Sequence, residues 1–487
     1  MSATRVATLV AGFDRSPAYA GLAAAVRLAV GDGRIAVGTR LPSERELTAA
    51  LGVSRTTVTR AYAALCEEGW AEARRGAGTF TRVPGGRARA FDRALVPRPG
   101  DEDAVDLNCA APSAPPGLAE AHAAAAADLP AYLGGHGYFP AGLPVLQQAV
   151  AAAYDQQGLP TDPGQVLVTA GALSATAIVA HGLLGAGDRA LVETPVYPNA
   201  VQAFRHAGAR VLGAPVDPDG WDLDVVAAAL RQAAPRTAYL IPDFQNPTGL
   251  LMDDAQREEY AAALRRTRTV AVVDEAHRAL VLDDDLERAG MPAPFAVHSP
   301  DAITLGSASK SHWGGLRLGW VRAPRDLVDR LTRARLGVDL GAPVLEQLVL
   351  ARLLGDDHEV AVEHRRRLRR QRDALVAAVA RELPSWRTRV PQGGLALWCE
   401  LPEPVATALA AEADQRGVVV APGPTFAVEG GLGRFVRLPW TRPEAELELA
   451  VRRLAEAWAR VAGGAGVGPG SAGRASRDGS GGPVMVA

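Results

Sequence analysis

Lysine is nearly missing from this chain. Of its 52 basic residues, 51 are arginines, and Lys310 is the single lysine. Arginine replaces lysine well for solubility and exposed ion pairs, but a guanidinium group stays protonated in proteins and is a poor nucleophile. A partly buried lysine amine can lose its proton and attack a carbonyl to form a Schiff base. Lys310 is therefore a candidate for imine chemistry, against the alternative that one lysine survived by chance.

Cysteines and long apolar runs are also scarce. Cys66, Cys109 and Cys399 are far apart and odd in number, with no metal or redox spacing, so we expect reduced thiols, no metal site and a cytoplasmic protein. No apolar run reaches the roughly 18 residues that span a bilayer, so we expect no membrane partner. The early stretch "VATLVAGF" is short and lacks a charged n-region and a clear cleavage site, so no signal peptide is predicted.

Length and charge divide the chain. Its 487 residues, 48% hydrophobic and 22% charged, predict two or three globular domains. Residues 1–90 hold 13 arginines against seven acidic side chains, a formal charge of +6. Because the whole chain carries −2, the remainder carries −8. A basic end on an acidic body indicates a polyanionic partner at that end, unless the asymmetry is chance surface charge.

Composition also marks the domain boundaries. Residues 83–104 are rich in Pro, Gly and charge, which predicts a flexible linker, and the Gly/Ser-rich residues 463–487 predict a disordered tail. Between them, in residues 105–462, Ala/Leu-rich helical stretches alternate with short β-branched runs such as "QVLVTAG", "TVAVVDEAH" and "AITLGSASK". Unbroken apolar runs of this length are typical of parallel strands that are buried on both faces. We therefore expect an α/β body with helices on both sides of a mostly parallel sheet.

Residues 1–82 show the pattern of a helix-turn-helix. One helix is predicted from Ala18 to Ile35, and two more follow, separated at Gly52. Ser43 is a good N-cap with Glu46 three residues later, and Ser54 caps the next helix. The first turn of that helix displays Arg55, Thr56 and Thr57, whose side chains can reach base edges. The N-terminus of the helix also favours a phosphate group.

A predicted wing follows the last of these helices. "WAEARRGAGTF" indicates two short strands around a Gly turn, with Arg74 and Arg75 suited to DNA backbone contact. The string "GTRLPSERELTAALGVSRTTVTRAYAALCEEGW…RRGAGTF" resembles the winged-helix DNA-binding domain of the GntR family over about seventy residues. The alternative is a helical packing module that does not bind DNA. The resemblance implies double-stranded operator DNA as a partner, and it implies DNA contacts for Arg45, Ser54, Arg55, Thr56 and Gly78.

The surroundings of Lys310 suit one cofactor. Pyridoxal 5'-phosphate (PLP) needs an amine, an acid beside its ring nitrogen, a donor to its ring oxygen and a phosphate cup. Asp274 ends an apolar run that delivers it to the carboxyl edge of the sheet, and Asn246 follows another run. Arg317 suits bidentate phosphate binding, and Gly171 stands at a strand-to-helix junction. Tyr197 can stack on the ring, unless it is plain core.

Residues 105–460 resemble a type I fold PLP-dependent aminotransferase. The strings that carry the resemblance are "YFPAGLPVLQQAV", "TAGALSAT", "ETPVYP", "DFQNPTG", "VVDEAH", "SASKSHWGGLRLGW" and "RFVRLPW". It implies that Lys310 forms the Schiff base, Asp274 pairs with the pyridine nitrogen and Asn246 reaches the ring oxygen. It also implies roles for a larger set: phosphate binding by Arg317, Ser307, Ser309, Gly171, Ala172 and Leu173, contact with the partner subunit's phosphate by Tyr138, and a substrate or effector carboxylate clamp at Arg437, which could otherwise be a surface pair.

Two features depart from the aminotransferase pattern. Three residues after the acid, where that pattern usually has Tyr, this chain has His277, which can donate to the ring oxygen or simply pack. The phosphate turn carries Ala172 and Leu173 where Ser and Gln are frequent, which leaves only backbone amides for the phosphate. PLP affinity is therefore expected to be lower than in the enzymes.

A winged helix joined to an aminotransferase-like body resembles the MocR subfamily of GntR-family regulators. That resemblance implies a homodimer that binds operator DNA and senses PLP, or a PLP adduct with an amino compound, through its body. Two alternatives stay open: an active aminotransferase that carries a DNA-binding domain, and a DNA-binding protein whose body has lost PLP and only dimerises.

Overall fold

The structure is a computed structural model that describes residues 1–31, 34–35, 38–74, 76–82, 104–355 and 358–464. Nearly all of the predicted linker 83–104 and tail 463–487, together with Arg75, lies outside these residues. Below, the head is the described part of residues 1–82 and the body is the described part of residues 104–464.

The head is a four-helix unit with a two-stranded wing. Its helices are α1 Ala3–Leu9, α2 Ala18–Gly31, α3 Glu44–Leu51 and α4 Arg55–Glu67, and its strands are β1 Ala71–Arg74 and β2 Gly78–Thr81. The strands pair antiparallel. Apolar side chains from α1, α2, α3, α4 and β1 form its core, with Leu22, Leu47 and Val58 fully buried.

The capping residues of the head lie where the sequence predicts them. The Ser43 side chain accepts the Glu46 amide and the Glu46 carboxylate accepts the Ser43 amide, which is a capping box. Gly52 ends α3 at φ +63, a left-handed conformation that favours glycine. The Ser54 hydroxyl accepts the Thr57 amide at 3.1 Å, so these caps set the turn between α3 and α4.

Two features of the head differ from the prediction. Helix α1, capped by Ser2, was not predicted, and it buries Val6 against the head core. Helix α2 ends at Gly31, four residues before the predicted end at Ile35. The amide of Ile35 donates to the carbonyl of Ala29 at 2.7 Å, and the Ile35 side chain is fully buried. Ile35 therefore packs into the core from outside the helix, in a glycine-containing stretch that disfavours helix continuation.

The body is built on a seven-stranded sheet. In spatial order its strands are β4 Val166–Thr169, β10 Gly319–Arg322, β9 Ile303–Ser307, β8 Val270–Asp274, β7 Thr237–Leu240, β5 Arg189–Thr194 and β6 Arg210–Pro215. Every neighbouring pair is parallel except the two that β10 makes, so the sheet is mostly parallel, as predicted. Alternate strand residues point into two apolar clusters, one on each face.

A second sheet of five strands was not predicted. In spatial order it contains β11 Arg387–Thr388, β12 Ala396–Glu400, β14 Phe435–Pro439, β13 Val418–Pro422 and β3 Val105–Leu107. Only β3 and β13 pair in parallel. Because β3 comes about 280 residues before the other four strands, no local pattern reveals this pairing.

Thirteen described helices cover these sheets. They are α5 Leu118–Asp128, α6 Pro144–Gln156, α7 Ala172–Leu183, α8 Pro198–His206, α9 Leu223–Ala233, α10 Asp254–Thr267, α11 Asp284–Ala289, α12 Phe295–His298, α13 Arg325–Arg335, α14 Val344–Gly355, α15 His358–Glu382, α16 Ala406–Gln415 and α17 Glu444–Gly464. Helices α15, α16 and α17 pack with the second sheet around a core of their own. Among the described helices, none is both long and apolar enough to cross a membrane.

The head contacts the body through α16. The hydroxyl of Thr407 donates to the carbonyl oxygen of Gly31, the last residue of α2. Ala411, one turn further along α16, packs against the apolar core of the head. The head therefore rests on the helix that leads directly into β13.

Candidate functional site

Lys310 lies in a single π-helical turn, Ser309–Trp313, directly after β9. Turns of this kind occur frequently at functional sites. The Nζ of Lys310 donates to the carbonyl oxygen of Ala110 at 2.9 Å. Burial lowers the pKa of the amine to about 8, and the nearby Arg437 charge acts in the same direction. A larger fraction of this amine is therefore neutral and nucleophilic at physiological pH than of an ordinary lysine.

Asp274 ends β8 at the carboxyl edge of the large sheet. Its Oδ2 accepts the Tyr239 hydroxyl at 2.5 Å and its Oδ1 accepts the amide of Ala276 at 2.9 Å. Burial raises the pKa of this carboxyl group, although both hydrogen bonds and the charge of Lys310 oppose the shift. A cation placed beside Asp274, such as a protonated ring nitrogen, would offset the cost of burying the charge.

Arg437 and Asn246 meet in the same cluster. Arg437, on β14, is fully buried, and its Nη1 donates to Asn246 Oδ1 at 3.1 Å while its Nη2 donates to the Asn108 carbonyl at 2.5 Å. This contact turns the Nδ2 donor of Asn246 away from Arg437. Burial lowers the pKa of Arg437 to about 10. Its Nε is buried with no partner among the described residues, so it retains capacity for an anion.

The predicted phosphate residues gather at the N-terminus of α7. Gly171 precedes this helix at φ +99, and a Cβ there would lie 3.3 Å from a terminal guanidinium nitrogen of Arg317. Arg317 donates to the Ala170 carbonyl at 3.3 Å. The amides of Ala172 and Leu173 open the helix beside it, and the Ser307 hydroxyl accepts the Ser309 amide at 3.2 Å. A guanidinium group and a helix N-terminus together suit a phosphate.

His277 hydrogen-bonds to the backbone through Nδ1 and does not fit the role of donor to the ring oxygen. Its Nδ1 lies 3.0 Å from the carbonyl of Phe244, which only accepts, so Nδ1 carries the proton. Burial lowers the pKa of His277 to about 4, so Nε2 has no proton to donate near neutrality. The geometry therefore favours the packing alternative for His277.

The two predicted tyrosines lie in different surroundings. Tyr197 precedes α8, and its hydroxyl accepts the Asn199 amide at 3.0 Å. Burial raises its pKa, and the charges of Asp274 and Arg437 act on it, so it belongs to the cluster. Tyr138 is 58% exposed and stacks on His136 with ring centroids 5.6 Å apart, outside the cluster. The contact of Tyr138 with a second copy stays a prediction.

Sequence reasoning missed the segment that contacts Lys310 and Arg437. The carbonyls of Asn108 and Ala110 accept from these two side chains, and the carbonyl of Cys109 accepts the Thr441 hydroxyl at 3.1 Å. Backbone carbonyls carry no signature in the sequence. The nearest signal is that Asn108 follows β3, since residues that follow strands tend to line the sites of such folds.

The recognition-helix residues are exposed at the start of α4. Ser54, Arg55 and Thr56 are exposed and Thr57 is half-buried, with the Ser54 hydroxyl 2.8 Å from that of Thr57. Arg55 is 78% exposed and makes one loose contact, 3.5 Å to Glu44. A weakly held, exposed arginine at a helix N-terminus is free to reach a base edge.

The remaining head residues surround the wing and α3. Arg45 is exposed on α3, and Arg74 lies over the Phe80 ring at 4.5 Å. Gly78 has φ +106, and a Cβ there would lie 3.0 Å from Nε of Arg40. Arg40 is a further exposed arginine of the wing surface that the sequence did not single out, because it comes 38 residues earlier in the chain.

Comparison with known proteins places this geometry in a family. Residues 110–454 match the family "Aminotransferase class I and II". The chain belongs to that family. Residues 18–81 of this aminotransferase-family protein match "Bacterial regulatory proteins, gntR family", so its head is a GntR-type domain.

Relatives of both kinds are known. The "2-aminoadipate transaminase" of Thermus thermophilus is 35% identical over 61% of this chain and 75% of its own length. The "Uncharacterized HTH-type transcriptional regulator YisV" of Bacillus subtilis is 28% identical over 88% of this chain and 93% of its own. The "Probable rhizopine catabolism regulatory protein MocR" of Rhizobium meliloti is 29% identical over 73% and 76%. The resemblance to the MocR subfamily is thereby confirmed.

A solved structure agrees with the aminotransferase fold of the body. The α-aminoadipate aminotransferase LysN of Thermus thermophilus, complexed with N-(5'-phosphopyridoxyl)-L-leucine, has a TM-score of 0.64 and 31% identity over 74% of this chain and 94% of its own. The predicted fold class, a winged helix-turn-helix joined to a type I aminotransferase fold, is confirmed. The family implies pyridoxal phosphate as the cofactor.

The described side chains fit that cofactor. The Gly171 cradle facing Arg317 suits its phosphate, the buried Asp274 suits a ring cation, and the amine with lowered pKa suits its aldehyde. The unpartnered Nε of buried Arg437 is left for an anionic group of a second ligand.

Proposed function

We propose that this protein is a PLP-binding transcriptional regulator that binds operator DNA as a homodimer and senses PLP, or its adduct with an amino compound, through the body. The proposal divides the chain into a DNA-binding domain 1–82, a linker 83–104, an effector domain 105–462 and a tail 463–487. One observation carries it. The same chain presents an exposed, Ser54-capped start of α4 in a GntR-type head and a cluster in which Lys310, Asp274 and Arg437 converge.

Each side chain of the cluster has a defined task in this proposal. When bound, PLP supplies an aldehyde for an amine and an electron-withdrawing ring. Lys310 provides the neutral amine, Asp274 stabilises positive charge on the ring nitrogen, and Asn246 offers Nδ2 to the ring oxygen. Arg437 binds the carboxylate of an amino-acid effector, because its charge is buried and one donor has no protein partner.

The fold supplies a route from this cluster to the head. Arg437 lies on β14 and pairs with Ala421 of β13, which α16 precedes. Helix α16 carries Thr407 and Ala411, the residues that contact the head. A ligand that moves β14 relative to the large sheet therefore also moves β13 and α16, the helix that contacts the head. Regulation requires only that the ligand bind more tightly to one arrangement of α16 and the head than to another.

The homodimer is part of this proposal. Sites of the type I fold are built across a subunit interface, and Tyr138 is exposed as a residue for a second copy must be. A symmetric dimer presents two heads, so the operator is expected to contain two half-sites as direct or inverted repeats.

Footprinting of the DNA upstream of the protein's own gene tests this proposal. The full chain is used with PLP, without PLP, and with PLP plus single amino acids and amines. The expected result is a protected pair of half-sites whose occupancy changes with PLP and with at least one amine. Protection that stays constant under every condition, with two-substrate turnover in parallel assays, contradicts the regulator.

The second candidate is an active PLP-dependent aminotransferase that carries a DNA-binding domain. The cluster around Lys310 retains a buried acid and a buried arginine, which supports it, and so does the 35% identity to a transaminase. Steady-state assays across amino acids and 2-oxo acids distinguish the two candidates. Turnover on the order of 10 per second, near the median of enzymes, favours the enzyme, and slow or absent turnover favours the regulator.

A further inference from the structure

His364 holds the turn that contains Lys310 from the opposite side. It lies on α15, is 1% exposed, and places Nε2 3.1 Å from the carbonyl oxygen of Lys310. A carbonyl only accepts, so Nε2 carries a proton and donates it. The amine of Lys310 donates to Ala110, so both ends of this residue are held by other parts of the body.

Arg367 fixes the other side of the same imidazole. Its Nη2 lies 3.0 Å from Nδ1 of His364, and a guanidinium group only donates, so Nδ1 must accept. His364 is therefore neutral, with its proton on Nε2. Burial also lowers its pKa to about 4, which agrees with this assignment. The donor and acceptor pattern, more than the packing, determines which residues can replace His364.

Arg367 also reaches the segment that contacts the site. Its Nη1 donates to the carbonyl of Ala114 at 3.1 Å and its Nη2 to the carbonyl of Ser113 at 2.6 Å. These residues continue the segment whose carbonyls at Asn108 and Ala110 accept from Arg437 and Lys310. The segment 108–114 is thus held at one end by the cofactor site and at the other by α15.

We propose that His364 and Arg367 are positioning residues that join the Lys310 turn to segment 108–114, so that occupation of Lys310 sets the position of this segment. The proposal rests on PLP binding at Lys310. Condensation of the Lys310 amine with the aldehyde of PLP would form a C=N bond, release water and leave at most one N–H on Nζ, so the hydrogen bond to the Ala110 carbonyl would be lost while the contacts of His364 and Arg367 remain. The segment then pivots about Ser113 and Ala114. Its other end continues into β3, which follows the predicted linker to the head.

The test uses the full chain with four variants. His364→Leu removes both polar contacts, and Arg367→Leu removes the links to Ser113 and Ala114. His364→Gln is the conservative rescue, because a glutamine amide can donate to Lys310 and accept from Arg367. Arg366→Leu is the matched control, since Arg366 also lies on α15 but is 67% exposed and pairs only loosely, at 3.7 Å, with Glu363 of the same helix. The readouts are the dissociation constant of PLP by visible absorbance and amide hydrogen exchange of peptides that cover residues 105–114, with and without PLP.

The expected results separate positioning from packing. His364→Leu should weaken PLP binding by about tenfold, the order of one lost hydrogen bond, and His364→Gln should restore most of it. In the PLP-free protein, His364→Leu and Arg367→Leu should speed exchange in residues 105–114 more than elsewhere, and Arg366→Leu should not. If Arg366→Leu reproduces both effects, or if the variants of His364 and Arg367 change neither, the positioning role is wrong.

The test does not depend on whether His364→Leu folds. If His364→Leu does not fold, the comparison of His364→Gln with Arg367→Leu decides by the same exchange readout. Failure of the wild-type protein to bind PLP would overturn the proposed function, but the exchange experiment without PLP would still decide whether the two residues hold the segment.

Discussion

The head and the body place their functional side chains in opposite ways. In the head, Arg55 is 78% exposed and held by one contact at 3.5 Å, and all the predicted DNA contacts come from a stretch of 34 residues, 45–78. In the body, Arg437 is fully buried, and its two hydrogen-bond partners lie 191 and 329 residues away in the chain. The same residue type is free in one region and rigidly held in the other.

The difference follows from the ligand that each region is proposed to bind. DNA is large and strongly charged, so exposed arginines on capped helices can contact it without prior burial. A small cofactor must be surrounded, and a buried site can use a lysine with a shifted pKa and an arginine with few competing partners. Substitutions at the buried site of the body should therefore abolish or strongly weaken ligand binding. Substitutions on the head should reduce DNA binding by smaller steps.

The largest effect is expected at Lys310. Lys310→Ala should abolish the visible absorption of bound PLP, and Lys310→Arg should not restore it because guanidinium is a poor nucleophile. Borohydride should fix the cofactor to the peptide that contains Lys310 in the wild-type protein alone. A band that persists unchanged in Lys310→Ala would overturn the assignment.

Arg437 is expected to affect the response to amino acids and not the capture of PLP itself. Arg437→Leu should weaken the effect of a carboxylate-bearing effector by roughly 10- to 100-fold, the range for a lost charged hydrogen bond. Spectral titration of PLP-loaded protein with amino acids and with the matching decarboxylated amines measures this. Equal losses for amino acids and amines would contradict a carboxylate role.

The pKa of Lys310 predicts how cofactor capture depends on pH. Below a pKa of about 8 the neutral fraction of the amine, and with it the initial capture rate, should fall by about tenfold for each pH unit. Above that pKa the rate should level off. Stopped-flow absorbance of the PLP-free protein between pH 6 and 10 provides the measurement, and a rate that still rises steeply from pH 9 to 10 would indicate an ordinary lysine pKa.

Two arginines of the head should separate specificity from affinity. Arg55→Ala should reduce discrimination between operator and random duplex DNA by about tenfold, since a base contact is lost. Arg74→Ala should weaken binding to both equally and reduce the slope of log affinity against log salt by roughly one. Fluorescence anisotropy over a salt series tests both, and unchanged sequence preference in Arg55→Ala would show that the recognition helix is misassigned.

The smallest effect is expected from the cap of the recognition helix. Ser54→Ala should lower the free energy of unfolding of the head by about 1 kcal/mol, because the Thr57 amide loses its acceptor. Ser54→Asp, which also caps, should retain most of that stability. Thermal unfolding of the head in the full chain, monitored by tryptic cleavage, measures the difference. The PLP spectrum should stay unchanged in both variants.

The local features of this protein could be predicted from the sequence. The caps at Ser43 and Ser54, the turn at Gly52 and the apolar strands of the large sheet depend on residues close together in the chain. Lys310 stands out as the single lysine among 52 basic residues, so composition alone makes it a candidate for imine chemistry. Sequence motifs also predict one site for Asp274, Asn246 and Arg437, and in the structure these side chains lie in one cluster.

Only the tertiary structure decided the remaining features. Three contacts join residues from 54 to 376 positions apart. They are the pairing of β3 with β13, the hydrogen bond from α16 to the Gly31 carbonyl, and the hydrogen bond from His364 to the Lys310 carbonyl. The hydrogen bond between His277 Nδ1 and the Phe244 carbonyl joins residues 33 positions apart, and no motif reveals it. Sequence records which side chains are present and what their neighbours in the chain favour. Contacts between distant backbone atoms, and the burial that shifts the pKa of Lys310, exist only after the chain has folded.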